Sequence, residues 1–336
     1  MRYTAPVTYA AYEVQGTGVR IGWDATDVRD QLQTLCAYFG LVAVPSESTQ
    51  CAITLTWHAH GDPGPLPSHA RLVAQHHGLE AWQAGTQFYL SGDRGLVRLD
   101  PAAGLGLGTF STVPSTPPTL HRDLFLYSLL WLLRAQGWYA AHAACLTTGD
   151  GGCLMIADSS SGKSTLALGL VQAGWHYLAD DAILLRSYNN EDVEVRPLRR
   201  DLYLGPEAAT LFPDTQGYWQ PCLLREDTKQ RLDMEALYHS QLRNTCFPDL
   251  ILFPTIVDAP KSRLIPIEKA EALYRLIQQS ALPTIDPQMA PEHLDILARL
   301  VRQTRHVRLL AGQDLAHDPR RIALILEEVQ QPAPCA

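Results

Sequence analysis

The sequence has no apolar run that reaches the roughly 18 residues of a membrane span. Its most apolar stretch, LFLYSLLWLL, stops after ten residues (Leu124–Leu133) and reads as a buried helix. The N-terminus, MRYTAPVTYAAYEV, lacks the charged start and apolar core of a secretory signal. Cysteine is sparse, 7 in 336 residues, and no pair stands at the close spacing of a zinc or redox motif. Reduced thiols in a cytoplasmic protein are the expectation. Excess positive charge is missing too: 27 Lys and Arg against 35 Asp and Glu leave a net charge of −8, which argues against nucleic acid as the main partner. What remains, 46% hydrophobic and 18% charged, suits a globular chain without membrane attachment and with room for two domains.

Punctuation places the boundary. TVPSTPPT, residues 112–119, packs three prolines and four Ser or Thr into eight residues and reads as a linker. Before it, VTYAAYEV, VRIGWDA, CAITLTWHA, TQFYLSG and GLVRLD read as strands, and ATDVRDQLQTLCAYFG as a helix closing at Gly40. Residues 1–111 are thus expected to form a small α+β domain for substrate recognition or assembly. GLGLG (104–108) introduces no strand–helix unit and reads as loop. Residues 120–336 form the second expected domain. It starts with a helix over about 120–136, followed by strands at AACLTTG, GCLMIA, DAILLRS, VEVRPL, PDLILFPTIV and RLIPI. Helices are expected at EKAEALYRLIQQS, PEHLDILARLVRQ and RRIALILEEV.

The chemistry concentrates in GGCLMIADSSSGKSTLALGLVQAGWHYLADDAILL, residues 151–185. GCLMIA supplies a strand, and STLALGLVQA a helix that stops at Gly174. Between them lie Asp158, Ser159, Ser160, Ser161, Gly162, Lys163, Ser164 and Thr165. A phosphate-binding loop needs this order, because the first N–H groups of the helix point at the anion. Lys163 offers a mobile cation to the terminal phosphates, and the Ser164 hydroxyl suits Mg²⁺. Ala157 stands where the full motif has glycine, which would cost about 1–2 kcal/mol if φ there were positive. Eleven residues of helix from Lys163, about 16 Å, are followed by five of strand, about 16 Å. Helix out and strand back therefore return Asp180 and Asp181 to the level of the loop, on a strand beside or near the first. One carboxylate can hold Mg²⁺ and the other can take the proton of an acceptor hydroxyl. We assign Asp180 as base and Asp181, with Ser164, to the metal; the sequence permits the exchange.

The segment HAACLTTGDGGCLMIADSSSGKSTLALGLVQAGWHYLADDAILL resembles the catalytic core of the bacterial HPr kinase/phosphorylase family. Weaker likeness continues through VEVRPLRRDLYLGPEAATLF and HVRLLAGQDL. The resemblance aligns His142 with the family histidine, Lys163 and Ser164 with the loop lysine and serine, and Asp180–Asp181 with the acidic pair. It implies an α/β fold, a P-loop kinase core of the type shared with phosphoenolpyruvate carboxykinase, preceded here by the small α+β domain. It also implies ATP, or GTP, as donor with Mg²⁺, and a catalytic set of Asp180, Asp181, His142 and Lys163. The acceptor implied is a serine hydroxyl of a peptide or small protein, as in peptide-maturation kinases. Against the family loop G-x-S-G-x-G-K-S, both Ala157 and Ser160 replace glycines.

Other readings stay open on sequence grounds. A small-molecule kinase acting on free serine or a sugar is a second, and a nucleotide-binding regulator without catalysis a third. His142 suits either the phosphate pocket or a buried strand end. Arg196, Arg199 and Arg200 are candidates to neutralise a transferring phosphoryl group, though surface arginines are commoner. His58 and His60 would share a strand face without further metal ligands, and His76–His77 adds nothing definite. Whether the chain forms a homo-oligomer is left open.

Overall fold

The computed structural model of the chain describes residues 6–45, 50–59, 65–76, 78–92, 95–110, 118–149, 151–158, 161–189, 191–222, 224, 228–280 and 290–330. It is a mixed α/β protein with several sheets. Contacts divide it into two compact units: Met1–Tyr139 with 223–226 and 284–290, and the remainder. No helix among the described residues is long and apolar enough to cross a membrane.

The first unit contains β1 (Thr8–Val14), β2 (Thr17–Trp23), α1 (Thr26–Tyr38), β3 (Val42–Val44), β4 (Cys51–His58), β5 (Arg71–His76), β6 (Leu79–Ala84), β7 (Gln87–Gly92), β8 (Gly95–Asp100), β9 (Leu105–Phe110) and α2 (Pro118–Arg134). Its strands form one sheet in the order β3-β1-β2-β4-β9-β8-β7-β6-β5. Gln15 and Gly16, at φ 50° and 81°, make the two-residue turn that joins β1 to β2. The stretch expected as loop, 104–108, is largely strand: β9 pairs in parallel with β4, setting Gly106 against Leu55 and Gly108 against Trp57. The glycines leave room rather than flexibility, for a Cβ on Gly108 would stand 2.6 Å from the Trp57 ring. Gly108→Val is therefore expected to destabilise the chain by about 1–3 kcal/mol through overpacking. Denaturant unfolding reads this, and an unchanged midpoint would mean that Trp57 yields freely.

The helix expected at the head of the second domain groups instead with the first unit. Its buried Phe125 and Trp131 meet Trp57 and Phe88, with ring centroids 6.3 and 4.6 Å apart. Covering that sheet face outweighs the proline punctuation. Pro118, read as linker, is the first residue of α2, where a missing N–H costs nothing.

The second unit carries β10 (Tyr139–Ala141), β11 (Ala144–Thr148), β12 (Gly151–Met155), α3 (Lys163–Gln172), β13 (His176–Ala179), β14 (Ile183–Tyr188), β15 (Asp192–Pro197), β16 (Leu202–Leu204), α4 (Pro206–Ala209), β17 (Trp219–Pro221), β18 (Gln230–Leu232) and α5 (Met234–Tyr238). After these come β19 (Leu250–Ile256), β20 (Arg263–Pro266), α6 (Lys269–Gln278), α7 (Ala290–Gln303), β21 (Arg305–Ala311), α8 (Gln313–His317) and α9 (Ile322–Gln330). The main sheet runs β13-β11-β12-β19-β21-β20. Strands β12, β19 and β21 are parallel neighbours. Strand β13 does not pair with β12, because the hairpin partner β11 occupies the slot between them, antiparallel to both. Helix α3 buries Leu166, Ala167, Leu170 and Val171 in a core with Leu146, Met155, Tyr177 and Leu252. The parallel run of strands and the return of β13 bring the end of β12, the start of α3 and the end of β13 to one edge.

Candidate active site

Beyond β12 the chain stays tied to the sheet, since the Ile156 N–H bonds to the Leu252 carbonyl at 2.9 Å. Further on, the Ser161 hydroxyl bonds to the Asp158 carbonyl at 2.7 Å. Gly162, at φ 85°, is the left-handed residue that opens α3, a position where a Cβ would be strained. Ala157 is not among the described non-glycine residues with positive φ, which are Gln15, Asp181 and Asn189. The condition for a strain penalty there is therefore absent. Ser159 and Ser160 lie outside the described residues.

At the other side of this edge, β13 ends at Ala179 and the acidic pair begins. Consecutive strand residues normally point to opposite faces. Asp181 breaks that alternation at φ 67°, a region that aspartate tolerates better than most residues. The turn is closed by the Ala182 N–H on the Asp180 carbonyl, 2.9 Å. Both carboxylates thereby reach one cation: Lys163 Nζ donates to Asp180 Oδ1 at 2.8 Å and to Asp181 Oδ1 at 2.6 Å. The Ser164 hydroxyl donates to Asp180 Oδ2 at 2.5 Å. Asp180 is wholly buried (0% exposed), whereas the Asp181 side chain keeps 20% of its surface in solvent.

Two further side chains face Asp181. Arg199, one of three arginines considered from sequence, donates from Nη2 to Asp181 Oδ2 at 3.2 Å, and its guanidinium lies over the Tyr203 ring. The other two are engaged elsewhere, Arg196 with Glu194 and Arg200 with Asn244. His142 sets Nε2 at 3.1 Å from Asp181 Oδ1 and Nδ1 at 3.0 Å from Gln279 Oε1. Gln279 escaped the sequence reading. It follows a helix that shows only an apolar stripe, and nothing local signals its contact.

Burial alone would raise the Asp181 carboxyl, but Lys163, the hydrogen bond from His142 and Arg199 outweigh it and hold the group well below its usual range. Burial pulls Lys163 down, and Asp180 with Asp181 more than reverse it, so its value is raised. A depressed carboxyl adds stability that is present above its unfolded value, 3.8, and is lost as pH falls through the folded value. A raised lysine adds stability that is present below 10.5 and lost as pH rises through its folded value. The parent should thus lose stability below about pH 3.8 more steeply than Asp181→Asn. Melting curves across that range check this, and parallel acid limbs would contradict it.

Among the described residues no group of three His, Cys, Asp or Glu is arranged to hold a metal by itself. The Ser164 hydroxyl and the Asp180 carboxylate nevertheless fit Mg²⁺, which takes oxygen ligands and fills most positions with water and phosphate. In the first unit, His58 is bound to Asp24 at 2.8 Å, a partly buried pair that belongs to no metal-holding group among the described residues; His60 and His77 lie outside the described residues. The helix start, lysine, hydroxyl and two carboxylates can together receive a polyphosphate and a divalent cation.

No family model matches the chain, and no curated protein does. Among solved structures, the Hpr(Ser) kinase/phosphatase from Coxiella burnetii is similar over 57% of this chain and 90% of that one, at 15% identity and a TM-score of 0.30. A likeness of that size carries no function, so the side chains themselves must carry it.

Proposed function

We propose that this chain is an ATP- and Mg²⁺-dependent phosphotransferase of the P-loop kinase type, acting on a serine hydroxyl of a peptide or small protein. The observation that carries the reading is the convergence of Lys163, Ser164, Asp180 and Asp181 at the start of α3. The α3 amides and Lys163 bind the donor phosphates, with Asp158, Ser161, Gly162 and Thr165 around them. Lys163 reaches the terminal phosphates only by leaving the two carboxylates. Ser164 and Asp180 would hold Mg²⁺, which when bound neutralises charge on the phosphates. The complete burial of Asp180 and its bond to Ser164 favour this assignment over the one made from sequence. Asp181, partly open to solvent, is then the base.

The acceptor oxygen attacks the γ-phosphorus while its proton passes to Asp181, and the bond from phosphorus to the bridging oxygen breaks to release ADP. Departure of Lys163 toward the phosphates removes the largest influence that keeps Asp181 acidic, which makes it a better base when it is needed. Arg199 supplies positive charge beside the transferring group. The peptide-type acceptor and its place in peptide maturation follow from the sequence resemblance, and the first unit is assigned to acceptor recognition or assembly. Incubation with γ-labelled ATP or GTP and serine peptides, free serine or sugars tests the reading. Label on a peptide serine supports it. Label on free serine or a sugar makes the chain a small-molecule kinase, and ATP binding without any transfer makes it a regulator.

A further inference from the structure

The side chain of Gln279 links three parts of the second unit. Its Nε2 donates to Asp158 Oδ1 at 2.7 Å, on the loop that precedes α3. Its Oε1 lies 3.0 Å from His142 Nδ1, and its backbone carbonyl accepts the His142 N–H at 2.9 Å. The residue is itself fixed, because its N–H bonds back to the Arg275 and Leu276 carbonyls at the end of α6.

Donor and acceptor logic sets the order of this chain. An ionised carboxylate only accepts, so the amide NH₂ must face Asp158. The amide oxygen must then face His142, and it too only accepts. Nδ1 of His142 therefore carries a proton, and by the same rule so does Nε2, which donates to the Asp181 carboxylate at Oδ1, 3.1 Å away. Turning the amide over would set oxygen against carboxylate at one end and leave Nδ1 without an acceptor at the other.

We propose that Gln279 is a positioning residue: its amide, oriented by Asp158, accepts the Nδ1–H of His142 and so aims the Nε2–H at Asp181. This rests on the phosphotransferase reading in giving Asp181 work to do, but the arrangement of the ring is a separate fact. It also couples the loop to the base, since a shift of Asp158 releases the amide that orients the histidine.

Two variants of the full chain test it. Gln279→Met keeps the shape and the backbone bonds and removes the acceptor. Gln279→Glu combined with Asp158→Asn keeps an oxygen toward Nδ1 and moves the amide donor to position 158. Proton–nitrogen correlation spectra of the histidine rings, with His142 assigned by its loss in His142→Gln, are expected to show Nδ1–H in the parent and in the combined Gln279→Glu, Asp158→Asn variant. Gln279→Met should lose that fixed arrangement, and its phosphoryl transfer from ATP should fall about tenfold at an unchanged KM for ATP. A parent ring protonated on Nε2 alone, or a Gln279→Met variant with the parental spectrum and rate, overturns the proposal. A chain that binds no ATP sinks the functional reading instead, while the ring spectra still decide the role of Gln279.

Discussion

Asp181→Asn is expected to lower phosphoryl transfer at least about 10²-fold while ATP affinity stays near the parental value. An acceptor hydroxyl is a poor nucleophile until its proton has a destination, and asparagine keeps the shape of aspartate without offering one. The two neighbouring carboxylates are told apart by burial: Asp180 is sealed, at 0% exposure, under Lys163 and Ser164, whereas Asp181 is 20% exposed. Asp180→Asn is expected instead to raise the Mg²⁺ concentration needed for half-maximal rate, because it removes charge from the metal's surroundings. Single-turnover transfer measured across a Mg²⁺ series separates the two. A parental rate in Asp181→Asn, joined to a collapse in Asp180→Asn at saturating Mg²⁺, would return the base role to Asp180.

The second large effect concerns stability. Lys163 and Asp180 form a buried ion pair, 5% and 0% exposed, with a 2.8 Å contact. Removing one partner of such a pair leaves an uncompensated charge in a poorly solvated site, at a cost of about 3–5 kcal/mol. Lys163→Met should therefore unfold at markedly lower urea concentration than the parent. Adding Asp180→Asn to it removes the stranded charge and should recover most of the loss, since groups in contact do not act additively. If the double variant is destabilised by the sum of the two single effects, the carboxylate was not stranded and the pair does not hold this edge together.

Parts of this arrangement are legible in the sequence for a simple reason. A helix and the strand after it have fixed rises per residue, so the distance from Lys163 to Asp180 follows from counting. The positive φ of Asp181 does not, and it is what lets two adjacent carboxylates face one lysine. Nor does counting show that β11 separates β12 from β13, because a hairpin can add on either side of a strand. The GLGLG stretch misleads since glycine marks loops more often than it marks clearance, and the tryptophan it accommodates lies far away in sequence. Gln279 meets His142 across 137 positions, a contact that only the tertiary fold creates. Helix α2 follows a proline-rich segment, yet what fixes its allegiance is the aromatic face it shares with the first sheet.

We propose the start of α3, with its two carboxylates, as a site for ATP together with Mg²⁺. Calorimetric titration of ATP into the parent and into Ser164→Ala, each in Mg²⁺ and in EDTA, tests it most directly. One-to-one binding by the parent that weakens sharply in EDTA is expected, with a Ser164→Ala variant in which that difference shrinks. Absence of binding by the parent, or equal affinity in Mg²⁺ and EDTA, would contradict it.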